Sequence, residues 1–202
     1  MKLFKQPKNS MLCGPYSLKM VLSYHGKTPS IKSILKDAPL YKEGTYIGDL
    51  GFCAIMNGFN AKIVLFDTSI MAPEYAKMSI KKMVEEMKKR KSMDKEEKKG
   101  LKAIIKFLKA GGKIEVRIIK MEEIKDAIKN KVPPILCIDR KILYGKGPGK
   151  KGHFVVASGF KRKKILLNDP HSRYGGIKDY DKEEILFALY SHGGKTLFIS
   201  PK

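Results

Sequence analysis

Leu18, Val21 and Leu22 recur at the i, i+3, i+4 spacing of a buried stripe, so the run MLCGPYSLKMVLSYHG after Ser10 reads as a helix. Ser10 is its expected cap, Pro15 fits the first turn where a missing N–H costs nothing, and Gly26 marks the exit. Cys13 therefore falls at or just before a helix N-terminus. The same pattern predicts short helices over 29–37 and 47–57, then a turn at Asn57-Gly58 and a strand in AKIVLF. From Met78 to Leu108 two charged helices are expected, with Ile80, Met83, Val84 and Met87 on one stripe and Leu101, Ile104, Ile105 and Leu108 on the other. The break falls near Ser92-Met93-Asp94, and Asp94 with Glu97 three residues on forms a capping box for the second helix.

Beyond Gly111-Gly112 the period changes. KIEVRII alternates like a strand, Met121 to Asn130 reads as a helix, and PPILCI is a short buried strand. The stretch YGKGPGKKG is a glycine- and lysine-rich loop, followed by strands HFVVASGF and KILLND around a Lys161-Arg162-Lys163 turn. Asp181 with Glu184 starts a last helix, and TLFIS closes as a strand. Helices fill the first half and strands the second, an α+β pattern. The expectation is one domain over 1–202, with a charged helical insertion at about 72–110.

Composition narrows the class. With 43% hydrophobic and 31% charged residues in 202, the chain is large enough for a core. It offers no run of about 18 apolar residues for a membrane span. Its start, MKLFKQPKNS, lacks an apolar signal segment, so a cytoplasmic location is expected. Cys13, Cys53 and Cys137 are widely spaced with no CxxC pair, which argues against a disulfide framework and a metal site. No cofactor is implied. The net charge is +22, yet only five of the 42 basic residues are arginine. Phosphate and base readout favour the arginine fork, so a lysine-rich solvated surface is the leading reading, and nucleic acid enters only through non-specific charge.

A working thiol nucleophile needs ionisation, a proton partner and a place for an oxyanion. A helix N-terminus favours ionisation at Cys13, whereas Cys53 in GFCAIM and Cys137 in ILCID sit in apolar runs. His153 opens a strand directly after the glycine-rich loop, and the next strand ends in Asn168-Asp169-Pro170. If those strands pair as a hairpin, His153 and Asp169 meet at its open end, the arrangement of a base and its orienting carboxylate. Neighbours on a strand face opposite ways, so only one of Asn168 and Asp169 faces the histidine. Asp169 is the expected one and Asn168 the alternative. Gln6, upstream of Cys13, can offer its amide N–H₂ beside the Cys13 N–H as an oxyanion hole. His171 reads as a surface-turn residue near the cleft, and His25 and His192 as loop residues.

These residues resemble a family. Gln6…Cys13-Gly14-Pro15, then Gly152-His153-Phe154-Val155-Val156, then Asn168-Asp169-Pro170, is similar to the bacteriocin-processing, double-glycine-leader peptidases of the papain-like clan. The likeness extends over about 1–68 and 120–200, with Gly48-Asp49-Leu50 and Gly58-Phe59 matching the family's second and third helices. It implies a papain-like α+β fold, a helical half packed on an antiparallel sheet. It also implies a Cys13, His153, Asp169 triad with Gln6 in the oxyanion hole, acting on a peptide or isopeptide amide through a thioester. Two departures stand out: no exporter segment accompanies the chain, and the segment at 72–110 is longer than the family pattern. Acyl transfer to an amine uses the same triad and stays open. So does a non-catalytic basic module that holds a polyanion.

Overall fold

The computed structural model describes residues 1–90, 93–145 and 152–202. Most of the glycine- and lysine-rich loop, and Ser92 in the break between the charged helices, lie outside the described residues. A seven-stranded sheet runs in the order β2-β1-β7-β3-β4-β5-β6, where the strands are β1 Phe59–Leu65, β2 Lys113–Val116, β3 Ile135–Asp139, β4 Gly152–Lys161, β5 Lys164–Asp169, β6 Gly176–Asp181 and β7 Thr196–Pro201. All pairings are antiparallel except β1 with β2. Helices cover both faces, giving the expected α+β architecture.

Five of these helices lie in the first half: α1 Cys13–Tyr24, α2 Ile31–Asp37, α3 Ile47–Met56, α4 Ile80–Lys89 and α5 Lys95–Lys109. Their apolar stripes, including Leu18, Leu22, Leu50, Ile104 and Phe107, share one core with Phe154 and Val156 of β4. On the other face α6 Met121–Lys129, α7 Arg140–Tyr144 and α8 Lys182–Tyr190 cover Ile138, Val155 and Leu167. Strand alternation sorts the two cores, because residues one apart face opposite layers.

Two local readings change. Ser10 does not cap α1: its hydroxyl donates to Pro7 O at 2.9 Å and the N-cap is Leu12, because residues 7–10 close their own turn. Cys13 is thereby the first helical residue. Neither α7 nor β6 was anticipated: α7 is a five-residue helix begun by Asp139, whose carboxylate accepts from Lys141 N, and β6 alternates too weakly to read as a strand. The charged stretch at 72–110 packs onto the rest of the chain. The turn at Pro73–Lys77 and α4 send Tyr75, Met83, Val84 and Met87 into the first-half core, and α5 is built into it as well. Its Phe107 is fully buried, and Gly48 of α3 lies so close that a Cβ there would sit 2.5 Å from the Ala103 carbonyl carbon. A lysine-rich helix with one apolar stripe buries that stripe as any other does. Asp94 and Glu97 do form the expected capping box.

Candidate active site

Cys13, His153 and Asp169 meet at the end of the sheet where β4 begins and β5 ends. α1 delivers the thiol from one layer. Its approach is close: a Cβ on Gly14 would lie 3.2 Å from both Leu50 Cδ1 and Phe154 Cδ2. Ser17, one turn on, donates its hydroxyl to Phe154 O at 3.1 Å and ties the helix to β4. His153 is 3% exposed and pairs across from Ile138 of β3, so its ring belongs to the face that α7 covers.

A bulge decides which end-of-strand residue joins it. β4 and β5 pair as Lys161 with Lys164 and Gly159 with Leu166, then the register shifts so that Ala157 meets Leu167 and Val156 meets Asn168. Ser158 is the extra residue. Had the first register continued, Asn168 would lie opposite Ala157, on the face of His153. With the shift, Asn168 turns to the opposite face, where it accepts from the Ser158 hydroxyl at 2.7 Å and donates to Met1 O. Asp169 takes the histidine's face and accepts from His153 Nε2 at 2.8 Å. The sequence carries a signal for this in Gly159, since a glycine inside a strand marks bulges.

Two partners escaped sequence reasoning. Tyr144, the last residue of α7, donates its hydroxyl to Asp169 Oδ2, and its oxygen lies 3.1 Å from His153 Nε2. His171 is half-buried rather than a plain surface turn. Its ring centroid is 6.0 Å from that of His153, and its backbone N–H donates to Asp169 Oδ1 at 2.8 Å. Asp169 is fully buried yet accepts three hydrogen bonds, which hold its pKa below the usual carboxylate range despite the cost of burial.

The thiol and imidazole shift each other. Burial pushes Cys13 up, but its hydrogen bond to His153, the imidazolium charge and the Phe154 and Gly14 N–H groups outweigh it, so the thiol is lowered. Burial pushes His153 down, but Asp169 and Cys13 outweigh that and raise it to about 9. Cys53 and Cys137 are raised to about 12, chiefly by burial. Gln6 is buried and held by its N–H to Pro170 O at 2.8 Å, next to Asp169. Its Nε2 donates to Ser10 O at 2.6 Å, leaving one amide hydrogen uncommitted by that bond.

A cavity of about 220 Å³ opens beside Cys13, walled by Thr45, Tyr46, Ile104, Cys137 and Phe154. A second, open groove, which shares Met11 with that cavity, runs along Gln6, Arg140, His171 and Arg173. No group of residues with metal-ligand character occurs among the described residues. None of the described helices is long and apolar enough to cross a membrane.

Fold and site together define the class, a papain-like α+β domain with a thiol at a helix start and a histidine at a strand start. Residues 1–192 match the Peptidase_C39 like family, and the chain belongs to that family. Membership supports a cysteine peptidase-like function. The fold is similar to the peptidase domain of Streptococcus ComA, a bi-functional ABC transporter involved in a quorum-sensing pathway, at 15% identity over 100% of this chain and 98% of that one, with a TM-score of 0.57. It is similar also to a double glycine motif protease from an AMS/PCAT transporter, solved in complex with the leader peptide, at 19% identity over 100% and 91%, TM-score 0.55. A C39-like peptidase from Bacillus anthracis aligns at 12% identity over 100% and 94%, TM-score 0.60. At these identities the likeness carries the fold alone. Among curated proteins none matches the sequence.

Proposed function

We propose that the protein is a thiol hydrolase that cleaves a peptide or isopeptide amide through a thioester, with Cys13 as nucleophile, His153 as base and acid, and Asp169 as the orienting carboxylate. The observation that carries this reading is the position of His153, in hydrogen-bond reach of a lowered thiol on one side and 2.8 Å from a buried carboxylate on the other. Cys13 Sγ adds to the amide carbonyl. The oxyanion is met by the Cys13 N–H, which as a first-turn amide has no intrahelical acceptor, and by the uncommitted hydrogen of the Gln6 amide. The His153 proton passes to the departing nitrogen as the C–N bond breaks. Water then attacks the thioester, His153 takes its proton, and the acid leaves with the thiolate restored.

Tyr144 is a positioning residue here, because it fixes the second oxygen of Asp169. The segment at 72–110 forms an insertion that governs substrate access, a role supported by Ile104 in the cavity wall. We place the protein in the cytoplasm, which its three free cysteines support.

Brief iodoacetamide treatment at about pH 6, followed by peptide mass mapping, tests the reading. An ordinary thiol is under about one per cent ionised there, so rapid labelling confined to Cys13 is expected. Equal, slow labelling of Cys13, Cys53 and Cys137 in the folded protein sinks it.

A further inference from the structure

We propose that the groove along Arg140, His171 and Arg173 holds carboxylate side chains of the departing half of the substrate, so that the preferred peptides carry Asp or Glu shortly after the cleaved bond. The proposal rests on the thiol-hydrolase reading above and adds a substrate class to it.

The first ground is the distribution of arginine. The chain has five arginines among 42 basic residues, yet two of them, Arg140 and Arg173, converge on one groove together with Lys8 and His171. Elsewhere the positive charge is mostly lysine. Arginine's planar fork is the side chain suited to two-point contact with a carboxylate. Arg117 shows what the chain does with a structural arginine: its guanidinium is committed to Glu115 and Glu123. Arg140 and Arg173 have no ion-pair partner among the described residues.

The second ground is rigidity. The Arg173 guanidinium lies over the Tyr174 ring, 5.3 Å from its centroid, and Tyr174 stacks on His171 at 5.1 Å and 29°. The backbone N–H groups of Arg173 and Tyr174 both donate to His171 Nδ1, at 3.2 and 3.1 Å. That nitrogen is thereby an acceptor, which fixes the ring as neutral. Its basicity is lowered first by burial, then by the charges of His153 and, further down, Arg140 and Lys5, the sign expected of a positive pocket awaiting an anion. A guanidinium already fixed against a ring loses little freedom on binding.

The third ground is direction. His153 must hand its proton to the departing nitrogen, so the departing half leaves on the imidazole's side of the thiol. His171 is the next ring along, 6.0 Å from His153, which an extended chain at about 3.3 Å per residue reaches roughly two residues past the cleaved bond. The apolar cavity beside Cys13 is left for the acyl half.

The test digests a proteome-derived peptide library with the full chain and reads the new termini by mass spectrometry. Asp and Glu should be enriched at the second or third position after the cut, by about 5- to 20-fold over the library. In Arg140→Gln/Arg173→Gln the enrichment should fall to background, while Arg140→Lys/Arg173→Lys should keep part of it. Absence of acidic enrichment, or enrichment unchanged in the glutamine variant, overturns the proposal. If no peptide is cut, the hydrolase reading has failed, and the groove is judged separately by alkylation of Cys13. The rate ratio of iodoacetate to iodoacetamide should drop severalfold in the glutamine variant, and an unchanged ratio overturns the anion site. Binding of an RNA oligonucleotide lost in that variant, without acidic enrichment, would assign the groove to nucleic acid and likewise overturn it.

Discussion

The two layers that flank the sheet hold the site by different means. The first, α1 to α5, positions the thiol by packing: Gly14 against Leu50 and Phe154, α3 against α5, and Phe107 filling the space beneath. The second positions the imidazole through polar contacts, with Tyr144 and the His171 N–H both spent on Asp169. Packing is cooperative and insensitive to pH, whereas a buried polar cluster is directional and titrates. Damage to the first layer should therefore appear as lost stability, and damage to the second as altered chemistry in a folded protein.

The sharpest version of that contrast is His153→Ala. Turnover should fall on the order of 10⁴-fold while thermal unfolding stays cooperative, and iodoacetamide labelling of Cys13 at pH 6 should slow because the imidazolium is gone. Phe107→Ala should do the reverse. It removes a fully buried ring and should cost about 3–5 kcal/mol by denaturant titration, while at low temperature the surviving folded fraction keeps selective Cys13 labelling. If Phe107→Ala were stable but unreactive, the division between the layers would collapse.

Smaller effects test the second layer from within. Asp169→Ala should lower kcat/KM by on the order of 10²-fold or more, and Asn168→Ala far less, because the bulge turns Asn168 away. A larger loss at Asn168 would reverse the assignment. The pH profile follows from His153, raised to about 9. The proton needed by the departing amine is present below that value and lost above it, so kcat/KM should decline as pH rises through about 9. Iodoacetamide labelling should not decline there, since the thiolate persists. Tyr144→Phe should cost less than Asp169→Ala, about tenfold in kcat/KM. Removing the hydroxyl leaves more negative charge on Asp169 for the imidazolium, so the alkaline limb should move upward; an unmoved limb would reduce Tyr144 to packing.

The parts of the site governed by local chemistry were legible in the sequence. Cys13 before a helical stripe, His153 at a strand start and an acid at the end of the next strand each follow from short-range pattern. The capping box at Asp94 was legible for the same reason. Tyr144 was not, because α7 is too short to show a period and its hydroxyl matters only once β5 folds beside it. The groove arginines are 33 positions apart and acquire a common meaning only in three dimensions. The packing side of α5 was legible too: its stripe of Leu101, Ile104, Ile105 and Leu108 marks the side that meets the core, and its lysines mark the side that meets water.

The extra residue at Ser158 has a consequence for how this site is compared with others. Because side chains on a strand alternate with a period of two, one inserted residue acts as a parity switch on everything downstream. In a hairpin of even count the same two letters, Asn-Asp, would present the amide to the imidazole and send the carboxylate into the opposite layer. The imidazole would then have a neutral partner, and its affinity for a proton would drop. A single backbone unit, remote from the thiol and with no part in bond making, thus selects between a charged and an uncharged support for the base. Motif spacing alone does not reveal the choice; the strand's parity does.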